Sequence, residues 1–85
     1  MEIFQDKVVC PRCNGNGLIF KAKISELDLI IYVCDECDAT WGNEDDILFN
    51  KFSDLSIFIN NFGLNEDEVN INIITYYWYS KNKEN

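Results

Sequence analysis

Cys10-Pro11-Arg12-Cys13 and Cys34-Asp35-Glu36-Cys37 hold every cysteine of the chain in two equal spacings, twenty residues apart. A Cys-x-x-Cys turn lets two thiolates reach one ion from a tight loop. A hairpin between two such turns returns the second pair to the first. Pro11 suits the second position of its turn, and Gly15 suits a positive φ just after it. Zinc accepts four thiolates in a tetrahedron with no position left for water. Cys10, Cys13, Cys34 and Cys37 therefore read as ligands of one structural Zn2+. Two disulfides or a rubredoxin-like iron site would use the same residues. The spacing, the lack of a visible export signal and the missing remainder of a rubredoxin pattern favour zinc. A redox Cys-x-x-Cys normally occurs once, beside a βαβ pattern that this chain does not have.

The flanks of the cysteines supply the hairpin. Residues 7–9 lead into the first turn as a short strand. Leu18, Phe20, Ala22 and Ile24 alternate with Ile19, Lys21 and Lys23, which is strand periodicity. Residues 25–28 form a turn, and the β-branched, apolar run 29–34 forms the return strand. Trp41 is expected to cover the hairpin, and residues 42–46 to form an acidic loop. A helix follows. Ser53 is its expected N-cap; Leu55, Phe58, Ile59 and Phe62 make one apolar face; Phe52 and Ile57 are placed as a staple; Gly63 ends it, with Leu64 as its apolar partner. Asn65 and Glu68 suggest a capped turn at 66–68, and residues 70–79 read as a strand. The tail from Lys81 to Asn85 is expected to fray.

The spacing resembles the zinc-ribbon family, over roughly residues 7–42. That resemblance implies a β-hairpin clamped by Cys10, Cys13, Cys34 and Cys37. The expected fold class is small α+β: a zinc-ribbon hairpin extended by one helix and a C-terminal strand. Residues 1–85 would form one domain, with the ribbon at 7–42 and the extension at 43–85.

Charge narrows the function. Fifteen acids face seven bases in 85 residues, for a net charge of −8. Twelve of the acids lie between residues 24 and 68, with Lys51 the one base among them. Such a surface repels nucleic-acid phosphates and anionic membranes and attracts a basic protein. No apolar run is long enough for a membrane-spanning helix. With no histidine the commonest general base is missing, so no enzyme and no small-molecule substrate are expected. Thiolate ligands and the missing signal suggest a cytoplasmic protein.

In size and acidity the chain is similar to the small immunity proteins of bacterial toxin–immunity systems, contact-dependent growth inhibition among them. That resemblance implies an inhibitor that occludes the cleft of a basic, nuclease-type toxin. The contact residues would be Glu26, Asp28, Asp35, Glu36, Asp38, Glu44, Asp45 and Asp46, with Trp41 or Trp78 as anchor. The alternative is a zinc-ribbon adaptor of the transcription or translation machinery, using Arg12, Lys21 and Lys23 as a small basic patch. Exposed aromatics in the run Tyr76-Tyr77-Trp78-Tyr79 would suit a protein contact, although one side of that run is expected to be core.

Overall fold

In a computed structural model, residues 2–48 and 51–79 are described, apart from the side chain of Leu48. The expected tail at 81–85 lies outside them. The chain is a small α+β protein built on one curled antiparallel sheet. Its strands are β1 (Ile3–Phe4), β2 (Lys7–Val9), β3 (Leu18–Ile24), β4 (Leu29–Cys34), β5 (Ala39–Trp41), β6 (Ser53–Asp54) and β7 (Ile71–Thr75). Two short helices, α1 (Glu44–Leu48) and α2 (Leu55–Asn60), complete it. Strands β1 to β6 lie in sequence order, and β7 pairs β3.

The hairpin read from the sequence is the centre of the sheet. Strand β3 pairs β4 from Ile19↔Cys34 to Ile24↔Leu29. The turn is a single 3-10 turn, Ser25–Leu27, closed by Asp28 in the left-handed region at φ 50°. Strand alternation splits the core between the two sheet faces. On one face Val8, Ile19, Tyr32, Cys34 and Trp41 pack with Ile47 of α1 and with Trp78. On the other, Ala22, Ile24, Ile31 and Val33 pack with Leu55 and Ile59 of α2. Helix α2 thus lies on the hairpin as its apolar face requires.

Several local expectations are corrected. The acidic segment 42–46 is not a loop throughout, because α1 begins at Glu44. Asn43 Oδ1 accepts the Asp46 amide at 2.9 Å, and Glu44, Asp45 and Asp46 lie at the positive end of the helix. Ser53 is not the N-cap of α2. It pairs with Thr40 in β6, and the cap position falls to Asp54. The helix ends at Asn60, so Phe62 lies beyond it and is 48% exposed while touching Phe58. No staple joins Phe52 to Ile57: Ile57 is half exposed and Phe52 packs edge-on to Trp41. Gly63 does take positive φ, at 81°. The capped turn at 66–68 is a 3-10 turn in which Glu68 accepts the Asn65 amide at 2.8 Å.

The last strand stops at Thr75, not at residue 79. The reason is competition for one edge of β3. Strand β2 occupies that edge at Leu18 and Ile19, and β7 occupies it from Lys21 to Ile24. A register shift at Lys21/Ala22 marks where β7 must leave. The chain then tucks Trp78 into the core, where its indole N–H donates to the Ile19 carbonyl at 2.8 Å and its ring meets Tyr32 at 4.7 Å.

Candidate metal centre

The register of the hairpin brings the cysteines together. Cys10 directly follows β2, and its amide donates to the Gly17 carbonyl at 3.0 Å, closing the first cysteine turn. Asn14 and Gly15 run through this turn at φ 55° and 83°, the positive φ expected of Gly15. Cys34 ends β4 opposite Ile19, so the second turn starts beside the end of the first. Asp35 ties the turns together twice. Its amide donates to the Leu18 carbonyl at 3.0 Å, and its carboxylate accepts the Leu18 amide at 3.0 Å.

The four sulfurs lie within 4.8 Å of one another. Cys10 and Cys37 are 3.7 Å apart at sulfur, as are Cys13 and Cys34. A disulfide would require about 2.05 Å, so these are free thiols. A regular tetrahedron with metal–sulfur bonds of about 2.3 Å has edges of about 3.8 Å. The spacing across the pairs therefore fits four thiolates around one cation. An all-sulfur donor set suits zinc, iron or copper(I), and disfavours magnesium and calcium.

Burial and hydrogen bonding act on the sulfurs in opposite directions. Burial pushes the Cys34 thiol up, against amide N–H bonds from Cys37 and Glu36, at 3.5 and 3.4 Å, that favour the thiolate. Burial likewise pushes Cys10 up. For Cys37 burial acts in the same direction but is outweighed by the Ala39 amide and the neighbouring sulfurs, and its thiol is lowered. Buried thiols that resist ionisation on their own are stabilised as thiolates by a bound cation.

Sequence reasoning missed two parts of the centre. Gly17 is buried between the turns. A Cβ there would overlap the Cys34 sulfur and lie 3.0 Å from Glu36 Cβ. Its signal was a glycine next to β3, where only a missing side chain lets the turns close. The second is Arg12. Its Nη1 donates to the Cys37 carbonyl at 3.1 Å and to Asp54 at 3.0 Å, while its guanidinium lies 4.7 Å from the centre of the Phe52 ring. Arg12 thus straps the first turn to the second and to the start of α2. Partial desolvation opposes its charge, but Asp54 and Cys37 outweigh it and raise its pKa.

The expected contact residues do not form one patch. Glu26 and Asp28 sit at the turn end of the hairpin, about 20 Å from the cysteine end for six residues of strand. Glu26 accepts both the amide and the side-chain N–H of Asn70 at 2.7 Å, and Asp28 pairs with Lys23 at 2.8 Å. Asp35 also accepts the Tyr76 hydroxyl at 3.1 Å. Asp35, Glu36 and Asp38 lie in or beside the second cysteine turn, and Glu44, Asp45 and Asp46 on α1, which packs on β5 immediately after it. Tyr32 donates to Glu44 at 3.3 Å. The two tryptophans expected as anchors are corrected: Trp41 is 0% and Trp78 9% exposed, because both fill the core beside the cysteines. Of the expected basic patch, Arg12 and Lys23 are held in ion pairs.

Among the described residues no helix is long and apolar enough to cross a membrane. No family model, curated protein sequence or solved structure matches the chain.

Proposed function

We propose that the chain is a zinc-clamped, acidic protein-binding module. Zinc bound by Cys10, Cys13, Cys34 and Cys37 acts structurally, in the manner of a zinc ribbon, and fixes the second cysteine turn against the first. The observation that carries the reading is the continuity of acids there: Glu36 and Asp38 at the second turn are followed by Glu44, Asp45 and Asp46 on α1. Four thiolates on a divalent cation add about two further negative charges. The partner is a basic protein, drawn in by charge; Arg12, the cation of the first cysteine turn, is offset by its pairing with Asp54.

In its finer form the reading is an immunity-type inhibitor that fills the phosphate-binding cleft of a nuclease toxin. The adaptor alternative needs a basic surface, and the pairing of Arg12 and Lys23 with acids leaves little of it. The test is titration against basic nuclease domains encoded beside this gene, at low and moderate salt. Stoichiometric inhibition, slowed by charge reversal at Glu36 and Asp45, is expected. Absence of binding, or salt-sensitive binding to RNA or DNA instead, would overturn the reading.

A further inference from the structure

One end of the sheet face that carries α2 is left uncovered, and it forms a recess of about 300 Å³. Glu2, Phe4, Val9, Asn14, Gly15 and Leu18 line it. The strand pattern explains why. Glu2 and Phe4 alternate with Ile3, and Ile3 packs against the opposite core. Val9 pairs with Leu18, so both point to the recess side and form an apolar floor. Gly15 borders Val9 closely: a Cβ added to it would lie 3.4 Å from Val9 Cγ1. Phe4 stands as a wall and is 57% exposed. Lys7, directly across the ladder from Phe4, extends over the Tyr77 ring at 5.5 Å.

We propose that this recess receives an arginine side chain of the basic protein partner. The inference rests on the basic-partner reading above and names the anchor within it. An apolar floor suits the three-carbon stem of arginine, an aromatic face suits its planar cation, and a carboxylate suits its N–H groups. The molecule already uses the same combination internally. Arg12 lies over Phe52 at 4.7 Å and donates to Asp54 at 3.0 Å. At the recess Phe4 and Glu2 repeat the aromatic and the acid, for a guanidinium supplied from outside.

The test is a chemical-shift titration of the zinc-loaded chain with three capped Gly-Xaa-Gly peptides, in which Xaa is arginine, lysine or citrulline. At low ionic strength the arginine peptide is expected to move the amides of Phe4, Asn14, Gly15 and Leu18. Its own side-chain methylenes should shift upfield from the ring current of Phe4. Lysine should act more weakly, and neutral citrulline weakest. Phe4→Leu should abolish the ring-current shift and weaken binding about twofold to fivefold, and Glu2→Gln should weaken it without removing that shift. Both side chains are exposed, and unchanged shifts elsewhere verify the fold. Shifts centred instead on Glu44 to Asp46, equal for arginine and lysine, would overturn the recess while leaving the basic-partner reading intact. No response to either cationic peptide anywhere would count against both.

Discussion

Gly17→Ala adds one methyl group at the point where the two cysteine turns meet. That methyl would overlap the Cys34 sulfur and sit 3.0 Å from Glu36 Cβ and 3.2 Å from Asp35 Oδ1. Gly17 is not at positive φ, so the cost is steric and not conformational. All three neighbours belong to the second cysteine turn, and one of them is a ligand atom. Overpacking of a tight site typically costs about 1–3 kcal/mol. Relieving it requires Cys34 to move, so the cost falls on metal binding and corresponds to a loss of about 5-fold to 150-fold in affinity at RT of about 0.6 kcal/mol. Competition for zinc against a chromophoric chelator measures that loss, and the absorption of the cobalt-substituted protein reports the thiolate tetrahedron. Gly63→Ala is the control. It has φ 81° and nothing within 4 Å, so it should cost about 1–2 kcal/mol of stability from left-handed backbone strain and leave zinc affinity unchanged. Zinc affinity of Gly17→Ala within twofold of the parent, with the same cobalt spectrum, would refute the reasoning.

Arg12→Lys keeps the charge but loses the planar group that spans Cys37, Asp54 and Phe52; zinc transfer to a chelator should quicken, and an unchanged rate would remove Arg12 from the clamp. Trp78→Phe deletes the N–H that satisfies the Ile19 carbonyl and should lower stability by about 1–2 kcal/mol, read from urea unfolding of the zinc-loaded protein. Bonding to the Asn70 amide holds the Glu26 carboxyl below its ordinary value. Because the folded value is the lower one, its stabilisation of the β7 start is full above the ordinary pKa of about 4.3 and fades as pH falls through the folded value. Amide exchange at Asn70 should therefore be better protected in the parent than in Glu26→Gln at neutral pH, with the difference shrinking on acidification; a difference that grows in acid would contradict the sign.

Much of this architecture is legible from residue pattern alone. The alternation of residues 18–24 and the apolar run 29–34 specify β3, β4 and their register, because a one-residue slip would expose Ile24, Ile31 and Val33. The paired spacings of Cys10, Cys13, Cys34 and Cys37 identify the centre for the same reason: the hairpin leaves them no other meeting point. The misreadings have a common cause. Strands β1, β5 and β6 are two or three residues long and exist only through their partners, so no periodicity announces them. Residues 76–79 carry strong strand propensity, yet β2 already holds the edge they would need. Three acids at 44–46 have the composition of a solvated loop, yet they start a helix, because Asn43 caps them and Ile47 is buried beneath. Gly17 and Arg12 are invisible locally, since each acts on residues of the other turn.

The central claim is that four sulfurs hold one metal ion. X-ray absorption at the zinc edge of protein purified under reducing conditions, with metal content measured on the same sample, tests it most directly. The expected result is one zinc per chain with four sulfur neighbours at about 2.3 Å. A metal-free folded chain, or a first shell of oxygen and nitrogen, would contradict it.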